Sequence, residues 1–372
     1  MRHSMNGKPR KSLITIGGII FGLLIAEGLS RVYLWQSRRA AGGAIHDYFY
    51  FDERGEFRIR PRASGWHRGY NAGPVMVQVN SLGFRGNEVR GKPERRVIIV
   101  GDSIVFDGGV ALEKTFVSLL ENRFRKDGRD VEIINAGTTD VGVDQYLLQV
   151  KSQRVLNLKP DAVVVGLYLN DSRPPQGHLG EEKKTLVLKF LALPGVKNLA
   201  IARLLRDAHI TYQFRRGTPS FTQRFDWVHR SALGRWKTDL PEFKKTVWEA
   251  RFDWGAAWGT DFDHVVFPAL REIRDWSLKH GMAVAVLIFP VALQVQTELT
   301  DPYIKWPQHK VMEFAKSEQI PALDLLPVFQ RYREKNPLAD QCHLNETGNE
   351  IAANYLYPFL TEILGQSKRK SS

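Results

Sequence analysis

Apolar residues along this chain fall into two alternating patterns. Short runs rich in β-branched residues lie near 96–100, 131–135, 162–167, 282–289 and 321–324, each closed by small or polar residues. Longer stretches with helical periodicity lie around 113–126, 143–156, 262–280 and 307–317, and a last amphipathic one at 346–360. Apolar runs of this length bounded by turn residues read as strands covered on both faces. Strand and helix in strict alternation predict an α/β fold built on a doubly wound parallel sheet. Pro307 at a helix start and Pro321 ahead of Asp324 agree with those boundaries.

Ligands bind outside the carboxyl ends of such strands, and four strand or loop ends here carry chemistry. The first strand runs straight into Gly101-Asp102-Ser103, with Gly108-Gly109 close behind. Alone, that tripeptide is equally well a turn before a helix. A serine nucleophile needs a base within hydrogen-bond reach and a third group to fix the tautomer of that base. His343 can be the base and Asp340, three residues earlier, its orienter, just ahead of the terminal helix. The strands ending at Asn135-Ala-Gly137 and at Gly166-Leu-Tyr-Leu-Asn170-Asp171 offer backbone NH groups and a side-chain amide. Acyl transfer builds negative charge on a carbonyl oxygen, and each preorganised donor there is worth about 10² to 10³ in rate.

The order Gly-Asp-Ser, Asn-x-Gly, Gly-x-x-x-Asn-Asp, Asp-x-x-His resembles the SGNH (GDSL-type) hydrolase family, over residues 95–172 and 281–362. That resemblance implies a flavodoxin-like three-layer fold and a serine esterase or acyltransferase mechanism. By position, Ser103 would be the nucleophile, His343 the base and Asp340 its orienter. Asn170 and the backbone NH of Ser103 would hold the oxyanion. The family's further oxyanion glycine falls here on Asp140, where a carboxylate would oppose a developing oxyanion unless it points away or Gly142 takes over. Asn80-x-x-Gly-Phe-Arg85-Gly is similar to the lead-in of anchored bacterial members, and a structural role is the expectation for Arg85.

Competing motifs fail on their own chemistry. Gly86-Asn-Glu-Val-Arg-Gly91-Lys92-Pro93 ends in proline where a phosphate loop needs a hydroxyl, and it precedes a strand rather than following one. Gly101-Asp-Ser103-Ile-Val105 departs from the Gly-x-Ser-x-Gly elbow. No His-Glu-x-x-His and no paired Cys-x-x-Cys is present, so neither a metal nor another cofactor is expected. One cysteine, Cys342, allows no internal disulfide.

At the amino end, Arg2, Lys8, Arg10 and Lys11 precede an uncharged run from Leu13 to Ala26, and Arg31, Arg38 and Arg39 follow. Extended to Trp35 the stretch would reach roughly 34 Å as a helix, enough to span a bilayer with tilt. Glu27 and Arg31 are spaced to pair. It reads as a signal anchor rather than a cleaved signal, Ala40-Ala-Gly-Gly-Ala44 being a weak cleavage site. The leading positive charge places the amino end in the cytoplasm and the catalytic domain in the periplasm or outside, on a bacterial inner membrane.

The net charge of +13 over 372 residues sits mostly in two segments, +6 in residues 1–40 and +8 in 173–260. The chain divides accordingly into an anchor (1–40), a lead-in (41–94), a hydrolase-like domain (95–366) with 173–260 inserted as a substrate cap, and a basic tail (367–372). Five of the nine tryptophans lie in 227–258. Among basic side chains they could stack sugar rings, hold an anionic polymer or rest on lipid headgroups. The alternative is that they form the small core of a helical subdomain. An outward-facing protein is a poor partner for nucleic acid, so the pI near 9.7 fits a membrane or an anionic glycan. The expected function is hydrolysis of acyl or O-acetyl esters on a surface or exported polysaccharide. The same residues would serve an O-acyltransferase, and a decayed, non-catalytic glycan-binding or assembly protein is the third reading.

Overall fold

The computed structural model describes residues 8–40, 49–51, 57–68, 74–139, 141–172 and 226–370, with a few residues between 190 and 205. The chain forms two compact units, Met1–Gly43 with Leu179–Thr218, and Ala44–His178 with Pro219–Ser372. In the first, α1 (Lys8–Ala40) contains Ile14–Tyr33, whose mean hydropathy of 1.5 over 20 residues is long and apolar enough for a membrane span or a signal sequence. Glu27 would be costly in such a helix without partners. Its carboxylate accepts from Arg31 Nε at 2.8 Å and from the backbone NH groups of Ala200 and Ile201 at 3.0 and 3.1 Å.

The second unit opens with two antiparallel pairs, β1 (Phe49–Phe51) with β2 (Phe57–Ile59) and β3 (Ser64–Arg68) with β4 (Pro74–Gln78). A turn at 80–86 follows. Asn80 Oδ1 accepts from the NH groups of Leu82 and Phe84, and Gly83 takes φ +80, where an added Cβ would stand 2.6 Å from the carbonyl of Ile59. The Asn-x-x-Gly-Phe-Arg sequence therefore encodes a side-chain-tied left-handed turn that delivers Arg85 inward.

The sheet is five-stranded and wholly parallel: β5 (Arg95–Gly101), β6 (Val131–Gly137), β7 (Ala162–Leu167), β8 (Ala283–Ile288) and β9 (Ala322–Asp324) in the order β6-β5-β7-β8-β9. This is the flavodoxin-like doubly wound arrangement, and its order reverses between β5 and β7. Val97 to Val100 and Val163 to Val165 are fully buried, as covered strands require. The crossover helices are α2 (Ser103–Phe106), α3 (Phe116–Lys126), α4 (Val143–Val150) and α5 (Gln153–Asn157). The helix expected over 143–156 is broken at Ser152, whose hydroxyl caps α5.

Beyond β7 the described chain resumes with α6 (Asp226–Ala232), α7 (Leu240–Glu249) and a 3₁₀ turn at Trp254–Trp258. Trp227, Trp236, Trp254 and Trp258 are buried within the same hydrophobic core as the sheet. The Trp227–Trp254 and Trp254–Trp258 rings meet edge-on at 5.4 and 5.8 Å. Four of the five tryptophans are thus packing residues and offer no platform to a sugar. Trp248 alone is exposed, beside the Arg251 guanidinium. The remaining helices are α8 (Phe267–Lys279), α9 (Ala292–Gln296), α10 (Trp306–Ser317), α11 (Leu326–Arg331) and α12 (Glu346–Lys370), the last running past the Leu360 expected from its pattern. α3 packs on α12 and α4 on α8, which supplies the helical layers.

Candidate active site

Three glycines end adjacent strands in one row. Gly101 of β5 pairs with Gly137 of β6 on one side and Gly166 of β7 on the other. An added Cβ on Gly137 would lie 2.2 Å from the backbone N of Phe106, and on Gly101 or Gly166 it would lie 2.3 or 2.5 Å from Val105 Cγ2. The missing side chains let α2 settle directly onto the strand ends. Asp102 caps it by accepting from Ile104 N at 2.9 Å. Its carboxyl end is held by two outside residues. Asn135 Nδ2 donates to Val105 O at 2.7 Å, and the Arg85 guanidinium donates to the carbonyls of Phe106, Asp107 and Val110. Asp107 then leaves the helix in the left-handed region at φ 54. Burial pushes its carboxyl up to about 7 against the pull of the Arg85 charge.

That seating presents Ser103, half-buried, at the switch point of the sheet. His343 Nε2 lies 3.0 Å from Ser103 Oγ, and His343 Nδ1 lies 2.8 Å from Asp340 Oδ2. A weaker contact joins Ser103 Oγ to Asp102 Oδ2 at 3.4 Å. The other Asp340 oxygen accepts from the NH groups of Cys342 and His343, both at 2.8 Å. Ala339 N to His343 O and Ala292 N to Gln341 O pin this loop to itself and to α9. Burial alone would raise the Asp340 carboxyl, but the His343 hydrogen bond and charge and the two backbone donors hold it well below the usual range. Burial favours a neutral His343, yet the hydrogen bond and charge of the Asp340 carboxylate beside it raise the ring above its ordinary value. The Cys342 thiol is itself pushed up to about 11 by burial. Being uncharged at neutral pH, it leaves Asp340 as the anion that stabilises an imidazolium.

The structure thus joins Ser103, His343 and Asp340 in one hydrogen-bonded chain. Asn170 ends the neighbouring strand segment, and its amide donates to Asp253 Oδ1 at 3.3 Å. Asp140 lies outside the described residues, while Gly142 is buried at the start of α4. Asp171 accepts from Tyr146 OH and Tyr168 N, both at 2.8 Å, and burial beside Asp102 raises its carboxyl well above the ordinary range. Asp253 is hard to single out from sequence, its one signal being an acid inside an otherwise apolar Asp-Trp-Gly-Ala-Ala-Trp run. Cys342 as a neighbour of the imidazole and the glycine row likewise appear only in the fold. All three strand-end glycines stand in the sequence, and only the register puts them side by side.

No protein-family model and no curated protein matches the sequence. Among solved structures the chain is similar to an acetyl xylan esterase at 18% identity, covering 71% of this chain and 98% of that one, with a TM-score of 0.40. It is similar to a catalytic mutant of an acetylxylan esterase from Geobacillus stearothermophilus at 12% identity, 74% and 97% coverage and a TM-score of 0.41. It is also similar to a member of the lipolytic protein G-D-S-L family from Veillonella parvula at 11% identity, 70% and 94% coverage and a TM-score of 0.37.

Proposed function

We propose that this chain is a serine ester hydrolase of the SGNH type. It acts on acyl groups, O-acetyl esters of a surface or exported glycan foremost, and α1 tethers it to a bacterial inner membrane with the catalytic unit outside the cytoplasm. The observation that carries the reading is the unbroken chain from Asp340 through both nitrogens of His343 to Ser103. With Nδ1–H committed to Asp340, Nε2 is the acceptor facing the hydroxyl, which is the tautomer a general base needs.

Ser103 Oγ attacks the ester carbonyl while its proton passes to Nε2. The imidazolium so formed is stabilised by Asp340 and returns the proton to the leaving alkoxide. Water repeats the cycle on the acyl-enzyme and frees the acid. The Asn170 amide carries two hydrogens, so the bond to Asp253 leaves one for the oxyanion, with the Ser103 NH as second donor.

A fluorophosphonate probe is expected to label the protein, and Ser103→Ala to abolish labelling together with acetate release from acetylated oligosaccharide. A folded wild-type protein that never labels would sink the reading. Acetyl transfer to a sugar acceptor in place of acetate release would make it an acyltransferase. A reporter fused after Trp35 tests the topology, cytoplasmic reporter activity being the contrary result.

A further inference from the structure

Cys342 takes no step in the proposed ester turnover, yet its sulfur lies 3.3 Å from His343 Nδ1 and 3.9 Å from Nε2. Asp340, Cys342 and His343 each present one ligand atom, a carboxylate O, a thiol S and an imidazole N, and all lie within 4.8 Å of one another. We propose that these three side chains form an inhibitory site for a zinc-class divalent cation, which switches the proposed hydrolase off by occupying Nδ1 of its base. The inference rests on the assignment of His343 as that base.

The donor set suits the ion. Thiolate, imidazole and carboxylate together select zinc over hard cations such as magnesium or calcium. Tetrahedral zinc with bonds of about 2.0 Å to N and O and about 2.3 Å to S sets its ligands about 3.3 to 3.6 Å apart. The present N–S separation of 3.3 Å already meets that spacing, and the N–O separation of 2.8 Å needs to open by about half an ångström. Asp340 is prepared for the task, because two backbone NH groups hold Oδ1 and aim Oδ2 at the ring. The Asp340 side chain is 47% exposed, so an ion can enter from solvent.

Charge and protons balance. Coordination releases the thiol proton, so one thiolate and one carboxylate neutralise the two charges of the ion. The ring proton leaves Nδ1 as the metal arrives and is taken up at Nε2, so the imidazole stays neutral. Nε2 then carries a hydrogen toward Ser103 Oγ and has no lone pair to accept one. Zinc therefore fixes the tautomer that cannot act as a base, and it does so without covering the serine.

The test combines ester hydrolysis in metal-free buffer with cobalt spectroscopy on the same full-length protein. Zinc is expected to inhibit the wild type and a chelator to restore it. Cys342→Ser, referred to its own metal-free rate, is expected to need at least about tenfold more zinc for half inhibition, since loss of even an outer-shell partner costs that much affinity. Cobalt(II) is expected to give a thiolate-to-metal charge-transfer band in the wild type and in Ser103→Ala, but none in Cys342→Ser. Equal zinc sensitivity of wild type and Cys342→Ser, or no charge-transfer band in the wild type at saturating cobalt, overturns the inference. A band in a protein that turns over no ester would uphold the metal site and refute the hydrolase assignment instead.

Discussion

Gly137→Ala is expected to abolish most ester turnover while leaving the sheet folded, because the glycine's missing side chain is where α2 rests. The new Cβ would stand 2.2 Å from Phe106 N and 2.6 Å from Val105 C, against the 3.4 Å at which ordinary contact begins, a shortfall of about 1.2 Å. Both neighbours are backbone, so no rotamer relieves the clash and α2 must lift. A lift of that size takes Ser103 Oγ, now 3.0 Å from His343 Nε2, beyond hydrogen-bond range. Misplacement of a reacting group by about 1 Å costs on the order of 10² in rate, or about 2.7 kcal/mol of barrier. The overpacking itself costs about 1–3 kcal/mol of stability, which a urea titration reads. Gly166→Ala supplies the control, since its Cβ would meet a side-chain atom, Val105 Cγ2, at 2.5 Å. Val105→Ala should therefore restore much of the kcat of Gly166→Ala and none of that of Gly137→Ala. A Gly137→Ala protein within about threefold of wild-type kcat/KM, or one rescued by Val105→Ala, would show that α2 does not depend on the glycine row.

The acid limb of kcat/KM against pH should have its midpoint above the ordinary histidine value of 6.5, because His343 must be neutral to act and its folded-state value is raised. Asp340→Asn should move that limb to lower pH and lower kcat on the order of 10⁴, as amides in place of a triad acid do. Asp107 is protonated up to about 7 in the folded chain and only to about 3.8 when unfolded. The native state therefore binds the extra proton between those values, and stability falls as pH rises from about 4 to 7, by roughly 4 kcal/mol in all. Asp107→Asn should flatten that fall in urea titrations across the same window. Asn170→Ala should lower kcat by about 10² to 10³ with KM little changed, and Asp253→Asn by a smaller factor, since it loosens the donor without removing it.

The strands were legible because apolar runs in covered strands need no partner information to be recognised, whereas their spatial order comes from the pairing itself. Val97 to Val100 and Val163 to Val165 have the pattern that full burial demands. Ser103, His343 and Asp340 were legible as types at strand and loop ends, and the fold supplies the 3.0 and 2.8 Å contacts that types alone cannot. What escaped depends on contacts between distant segments. Asp253 acquires a role only because its turn meets the end of β7. Gly101, Gly137 and Gly166 become a floor only through strand register. The tryptophans left a packing role and a binding role both open for a related reason: composition shows that aromatics cluster with basic residues, not which side of the backbone each occupies, and burial of four of the five favours packing. A structural role for Arg85 is what its sequence context suggests, and the carbonyls of Phe106, Asp107 and Val110 that it binds below the Ser103 turn give that role its content.

Ser103 and His343 are separated by 240 residues of chain. At ribosomal speeds of about 5–20 residues per second, a growing chain carries Ser103 for roughly 12 to 48 s before His343 is made. During that interval the serine is an ordinary alcohol. Synthesis of the loop that carries Asp340 and His343 is then the step that gives the serine its hydrogen-bond partner. A chain stalled or truncated before Asp340 could seat α2 on its glycines and still be harmless to any ester it met.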